Sequence, residues 1–533
     1  MPIVAYQHSL ASPGYAPDMA HGQLPAQVWT DGANMRFDNG APRTIEGSTA
    51  TYTITTSVIH HINVYNATSN YWLTFTPTAA YLTDGTTVSN VTRVSASSTL
   101  VPYTGSLEHN WTTSSFGNFV VADNGTDKPQ YWAIGSGSPL ANLTNWPATW
   151  TAQSVRTFRN YLVAMDITIG SDRYPSLIAW SDAAPYDTLP STWVPSTTND
   201  AGDNNLNDTP GWIIDGLALG GSFIVYKEDS VWAMSYVSGA TVMAFRKLFE
   251  GVGLLSRRCV QEFNGKHFFV GRGDVYITDG VNLQSVASNR VRQLLFDAIS
   301  SDTYERVFTA IDRTRREIWV CYPTTEGYPD KALIYNYETD TWYPPRSIAA
   351  TAHMAPGIAD TSVAPVTFDA SATASVTFAF DSDSGPFDIR NYNPSQVDLL
   401  AARPSGTTLD RMNEGTTENS VTITGYLTRK LLPFMGQDAI GQPALWSPAM
   451  KLIRRMWVDA TGTGYVRVYL GVHKTESDTP VWHGPYRINL ASQNFAWVLL
   501  RGRFFSIKFE TDTDSGNWAL TGYKIEYEQV GSF

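Results

Sequence analysis

Nine histidines are the first residues to test for chemistry, and they are scattered along the chain. His60-His61 forms the adjacent pair. Neighbours on a strand point to opposite faces, so as a simple strand these two cannot share one metal ion. The sequence holds no His-Glu-x-x-His pattern, no Gly-x-Ser-x-Gly elbow and no Walker-type phosphate loop. Carboxylates are plentiful, 49 in all. A propeller-type glycosidase would need two of them about 5–10 Å apart. The sialidase-type box, Ser/Thr-x-Asp-x-Gly-x-x-Trp, does not occur. Its nearest approaches are Asp340-Thr341-Trp342 and Asp514-Ser515-Gly516-Asn517-Trp518, each read as a hairpin turn followed by a buried tryptophan. The expectation is therefore no enzyme, with no catalytic, metal-ligating or cofactor-binding residue.

Other suggestive groupings have plain readings. Arg272-Gly273-Asp274 is a good turn between two strands. The basic pairs Arg257-Arg258, Arg315-Arg316 and Arg454-Arg455 stand isolated in an acidic chain and read as interface or solvated residues. Cys259 and Cys321 read as buried thiols that behave as small hydrophobes. Asn-x-Thr sequons at Asn66, Asn90, Asn110, Asn124, Asn142 and Asn207 are what chance gives in a chain rich in Asn and Thr.

The elements that must carry these residues are strands. The 533 residues suffice for roughly two to four domains. Charged residues make up 16%, against about 25% in typical soluble domains. With 17 Trp, 27 Tyr and 23 Phe, much aromatic surface must be buried, and subunit interfaces are a natural place for part of it. A net charge of −12 argues against gripping nucleic acid by phosphate neutralisation, while an acidic wall suits a channel that DNA slides through. The start, Met1-Pro2-Ile3-Val4, has neither the basic nor the apolar region of a signal peptide, and no window reads as a transmembrane helix.

Helical periodicity is confined to Val291–Ile299. Elsewhere short β-branched and aromatic runs alternate with Gly, Asn, Asp, Ser and Pro clusters. Asn70–Phe75, Gly117–Val121, Arg159–Val163, Gly221–Val225, Gly265–Val270 and Arg316–Val320 open alike, each with a turn that leads into a buried strand. A second aromatic strand tends to follow, as at Ile178-Ala179-Trp180 and Leu333–Tyr337. The units repeat at roughly 40–60 residues, the scale of a four-stranded propeller blade. The expected fold is all-β: a β-propeller of about six blades over 55–346 and a C-terminal antiparallel β-sandwich over 421–533. Residues 1–54 are expected to form an N-terminal arm with the first strands, and 347–420 a connecting segment with some extended structure.

Trp29-Thr30-Asp31-Gly32-Ala33-Asn34-Met35-Arg36-Phe37, followed by Gly40, Arg43 and Gly47, resembles the N-terminal signature of the tail nozzle proteins of short-tailed bacteriophages, also called tail tubular protein B. Ile178-Ala179-Trp180-Ser181-Asp182 with Tyr186-Asp187 resembles the family's mid-propeller strand and turn. Phe268–Gly271 with Asp274–Tyr276, then Arg313, Glu317-Ile318-Trp319, Ile334–Tyr337 (with Asn336 and Tyr337) and Thr341-Trp342, are similar to further blades. Arg501-Gly502-Arg503-Phe504, Trp518 and Gly522-Tyr523 match its last strands.

This resemblance implies a ring, usually of six copies, below the adaptor that follows the portal. The ring would prolong the DNA channel, retain the packaged genome, release it at ejection, and carry fibres or spikes. The partners implied are other copies of the chain, the tail adaptor, fibres or spikes, and double-stranded DNA passing without sequence-specific contact. The implied place is the virion tail, assembled in the bacterial cytoplasm. The motif residues read as structural, with glycines permitting turns and tryptophans filling cores. The alternatives are another virion baseplate or fibre-attachment protein, or a carbohydrate-binding or glycosidase-type propeller.

Overall fold

The computed structural model describes residues 3–8, 10–12, 14–20, 27–55, 57–66, 69–85, 87–106, 111–237, 241–359, 397–434, 436–437, 443–444, 449–512 and 516–531. Turn and strand chemistry alternate through most of this length, and the outcome is almost entirely β-structure. The helical periodicity near residue 291 gives one short helix, Arg292–Ala298.

Strands rich in Val, Ile, Phe and Trp pair in sequence order with their nearest neighbours, joined by tight turns whose left-handed positions fall mostly on Gly, Asn and Asp, with Arg159 and Arg316 as exceptions. Blade 1 is His60–Tyr65, Asn70–Phe75, Ala80–Thr83 and Val88–Asn90. Blade 2 is Thr112–Phe116, Phe119–Asp123, Gln130–Ala133 and Ala141–Asn142. Blade 3 comprises Trp150–Phe158, Tyr161–Ile169, Asp172–Trp180 and Gly202–Asn205. Blade 4 comprises Ile213–Leu219, Ser222–Lys227, Ser230–Tyr236 and Met243–Glu250. Blade 5 is Val260–Phe263, Lys266–Val270, Val275–Thr278 and Leu283–Ser285. Blade 6 is Phe308–Asp312, Glu317–Tyr322, Lys331–Asn336 and Thr341–Trp342, with Arg346–Ser347 added to its third strand.

A seventh blade closes the circle. His353–Ile358, Val397–Ala402 and Thr408–Met412 pair in order, and the fourth strand, Ser48–Thr53, comes from the other end of the chain. The first strands of successive blades lie side by side around an axis. His60 of blade 1 bonds Thr113 of blade 2, and Arg156 of blade 3 bonds Asp215 of blade 4. Gln261 of blade 5 bonds the Thr309 carbonyl of blade 6, and Phe308 packs its ring against His353 of blade 7. Radial stacking lets each small sheet cover its neighbour's face, and the N-terminal strand seals the last edge without a covalent link.

The propeller expectation thus holds, with seven blades among the described residues rather than about six. The stretch expected to connect two domains supplies three strands of blade 7. It was hard to read because few aromatics mark it and its fourth strand lies more than 300 positions away. The part of that stretch between 360 and 396 lies outside the described residues, as do Asn110 and Asp514-Ser515.

The sandwich is also built from both chain ends. One sheet runs Met35–Asp38, Ala41–Thr44, Trp518–Gly531, Met450–Gly462, Phe495–Gly502, with Ile3–His8 on the long Trp518–Gly531 strand. The other runs Asp31–Ala33, Tyr426–Arg429, Phe504–Thr511, Tyr465–His473, Val481–Asn489. Alternation sends Ile453, Met456 and Val458 inward from one sheet, and Val466, Val468 and Leu470 inward from the other. The first 54 residues are therefore no separate arm: four of their strands complete the sandwich and one completes the propeller.

Candidate functional site

The signature near the N-terminus lies where the sandwich meets blade 6. Trp29 is 1% exposed, donates its indole N–H to the Leu10 carbonyl at 2.7 Å, and meets Phe509 edge-on. Asp31 accepts from the Tyr426 hydroxyl at 3.3 Å. Gly32 lets three chain segments approach. A Cβ there would sit 2.9 Å from the Tyr426 carbonyl oxygen and 3.2 Å from the Pro344 ring. Asn34, with φ of 55°, donates its side-chain N–H to the Thr424 carbonyl and accepts from the Ser347 backbone N–H. It thereby ties sandwich to blade.

Arg36 reaches Glu317 of blade 6 at 2.5 Å, both buried. Burial raises the Glu317 pKa and Arg36 opposes that rise. Glu317 also accepts from the Trp319 indole at 3.3 Å. Arg346 lies 4.7 Å over the Trp319 ring and donates to Asn413 of blade 7 and to the Glu46 and Gly47 carbonyls. Phe37 packs edge-on to Tyr343, whose hydroxyl donates to the Phe37 carbonyl and accepts from Asn336. Trp342 donates to the Val286 carbonyl, and the Tyr337 ring lies 5.0 Å from that of Phe263. Trp518 donates to the Thr511 hydroxyl. Gly40 takes φ of 80° in the turn between Met35–Asp38 and Ala41–Thr44, and Gly47 lies against the Thr417 backbone.

Sequence residues spread from Trp29 to Trp518 thus meet in one clasp. Most of its charged and polar groups bond to one another, and the buried Arg36 Nε and Arg346 Nε have no hydrogen-bond partner. The Trp180 group is separate. Trp180 donates to the Asp200 carbonyl at 2.8 Å, and Ser181 accepts from the Leu162 backbone N–H. Asp182 accepts from the Ala183 and Asp200 backbones and the Ser191 hydroxyl, which pins the loop between the third and fourth strands of blade 3. Arg503 is exposed, and its carbonyl accepts from Lys451.

Near the propeller axis, Asp215 is clamped by Arg156 through two bonds of 2.9 and 2.5 Å and accepts from the Gly216 N–H as well. Asp123 is buried, and burial raises its carboxyl to about 7. Its Oδ2 has no hydrogen-bond partner. Its Oδ1 accepts from the Gly125 backbone N–H at 3.2 Å.

His60 and His61 do face opposite ways, yet both meet His353, with ring centroids 4.1 and 4.8 Å apart. Burial depresses all three, His61 to about 3. Among the described residues no group of three His, Cys, Asp or Glu side chains is arranged to hold a metal ion. Cys259 and Cys321 are free and buried. Of the basic pairs, Arg315 meets Glu46, Arg316 meets Glu338, Arg454 meets Glu528 and Arg455 meets Glu526.

Sequence reasoning missed a cavity of about 280 Å³ on the face where the blades' first strands begin. It lies among blades 3 to 6 and is lined by Gln153, Arg173, Trp212, Arg257, Arg272 and Tyr304, among others. The doublet Arg257-Arg258 and the tripeptide Arg272-Gly273-Asp274 were the groupings that touched it.

No family model matches the chain, and no curated protein matches it. Solved structures do. A chain in "Crystal Structure of Mitotic Checkpoint Complex" is 10% identical, covering 69% of this chain and 95% of that one with a TM-score of 0.39. The Cps50 (Swd1) β-propeller domain of Myceliophteria thermophila is 7% identical, covering 70% and 99% with a TM-score of 0.39. PorZ of Porphyromonas gingivalis is 10% identical, covering 73% and 44% with a TM-score of 0.36. The propeller assignment rests on the strand order of this chain itself.

Proposed function

We propose that this protein is a structural subunit of a short phage tail, a nozzle that prolongs the DNA channel, retains the packaged genome and releases it at ejection. The observation that carries the reading is the clasp. Many of the residues that resemble the nozzle signature, among them Trp29, Arg36, Phe37 and Trp518, lie at one buried joint between the propeller and the sandwich, while the Trp180 group and Arg503 lie apart. Such a joint suits a subunit that must keep its two domains in fixed register under mechanical stress.

A second feature supports assembly into a larger body. Phe495, Trp497 and Leu499 point outward from an edge strand of the sandwich, with Trp497 59% and Leu499 69% exposed. Val481 and Trp482 are exposed on the edge strand of the facing sheet. An apolar stripe on unpaired edges is a liability in a lone molecule and a natural contact between copies. The partners in this reading are other copies in a closed head-to-tail ring, the tail adaptor, and fibres or spikes. Duplex DNA passes through the lumen of the ring, and assembly takes place in the host cytoplasm.

The reading is tested by mixing the purified chain with DNA-filled, tail-less heads carrying the adaptor and imaging them. Tapered tubes added at the portal vertex are expected. Heads that stay bare, with the chain left in solution, would refute the assignment.

A further inference from the structure

The cavity among blades 3 to 6 has an uneven charge balance. Arg173 is satisfied: it forms two bonds to Asp166, at 2.9 and 2.6 Å, and its guanidinium lies 4.3 Å over the Trp212 ring. Arg272 is satisfied by Glu228 at 2.6 Å. Arg257, on the cavity wall, is not. Its guanidinium donates to the backbone carbonyl and the side-chain oxygen of Gln153, and it makes no ion pair with a carboxylate among the described residues. A partly buried guanidinium with neutral partners keeps unused N–H donors in a fork that matches a carboxylate. Burial lowers the Arg257 pKa, and the carboxylates of Asp215, Asp166, Asp123 and Glu305, none of them in ion-pair contact, oppose that fall.

The rest of the wall has a different character. Trp212 is 49% exposed, so Arg173 covers part of its indole and leaves the remainder open. Tyr304, half-buried, donates its hydroxyl to Glu305 at 3.3 Å, and both line the cavity. An open aromatic surface suits the C–H face of a pyranose ring, and flanking carboxylate and phenol groups suit its hydroxyls. The volume accommodates a single sugar unit.

We propose that this cavity binds an acidic sugar of the hexuronate class, with its carboxylate on Arg257 and its ring against Trp212. The site belongs to one chain and does not depend on ring assembly, so it stands or falls apart from the nozzle reading.

The test is calorimetric titration of the full-length chain with D-glucuronate, D-glucose and inorganic phosphate. Glucuronate is expected to bind, glucose at least about tenfold more weakly, since a charge-assisted bidentate contact contributes more than 1.4 kcal/mol. Arg257→Gln should abolish the preference for glucuronate over glucose. Should that variant fail to fold, Trp212→Ala, at a half-exposed position, should weaken glucuronate at least fivefold while leaving the thermal midpoint in place. Silence toward glucuronate would overturn the proposal. So would phosphate binding as tightly as glucuronate, which marks a simple oxyanion site, and so would unchanged binding by either folded variant.

Discussion

The guanidinium of Arg36 and the carboxylate of Glu317 lie 2.5 Å apart, buried, although 281 positions separate them in the chain. The contact joins a sandwich strand to the second strand of blade 6, so the two domains share one ion pair. Removing Glu317 leaves the buried Arg36 with only the longer contact to Glu46, at 3.9 Å. Glu317→Ala is therefore expected to cost about 3–5 kcal/mol in urea unfolding, whereas the double change Arg36→Met with Glu317→Leu should cost far less. A single change costing under about 1 kcal/mol would show that the clasp does not hold the domains together.

Gly47 and Gly40 make a matched pair for a second test. A Cβ on Gly47 would sit 2.0 Å from the Thr417 carbonyl oxygen and 2.7 Å from the Thr417 nitrogen, and backbone cannot swing away. Around Gly40 no atom lies within 4 Å, so Ala there meets only the strain of its φ of 80°. Gly40→Ala should cost about 1–2 kcal/mol. Gly47→Ala should cost clearly more, through separation of the segments before and after blade 7. Thermal melts of the two variants side by side decide the point.

The alternation of turn and strand made most of the architecture readable. Asn70–Phe75 or Glu317–Tyr322 announce themselves as buried strands through aromatic and β-branched runs that follow a turn. Blade 7 was not readable in this way. Its closure depends on Ser48–Thr53 meeting Thr408–Met412, and no local pattern encodes a pairing over that distance. The clasp was half legible. Trp29, Gly32, Asn34, Arg36 and Phe37 stood out as a motif, but the pairing of Arg36 with Glu317, of Phe37 with Tyr343 and of Asn34 with Ser347 and Thr424 is fixed only by the fold. The sugar-sized cavity was less legible still. Trp212 carries no motif, and nothing near it points to Arg257 on another blade.

Buried histidines at the seam between blades 1 and 7 give the propeller an acid-sensitive closure. His61 is held down to about 3 by burial, and His60 and His353 are lowered for the same reason. The unfolded chain takes up protons near pH 6.5, about the ordinary histidine value, while the folded chain does not. Their contribution is therefore fully present above that pH and is lost as pH falls toward 3. Asp123 works the other way. Raised to about 7, it favours the folded state at low pH, and that contribution is lost as pH rises through 7. His61→Gln should thus reduce the loss of stability between pH 6 and pH 4 by up to about 1.4 kcal/mol per pH unit relative to the parent. Urea midpoints at three pH values measure it, and an unchanged slope would contradict the assignment.

The acidic chain should not hold duplex DNA. Fluorescence anisotropy with a short duplex at about 150 mM salt is expected to show no binding, and tight binding that falls steeply with salt would contradict a non-adhesive channel.

The apolar edge of the sandwich predicts where copies meet. Trp497→Asp with Leu499→Asp changes exposed residues, so the monomer's melting point should move little while assembly is lost. Sedimentation of parent and variant would show it, and equal assembly by both would move the contact elsewhere.

The most direct test of the central claim is the mass of the purified chain by native mass spectrometry, with negative-stain images of the same sample. The nozzle account predicts a closed ring of several copies with an open centre. A chain that stays monomeric at every concentration and remains so when offered adaptor-bearing phage heads would contradict it.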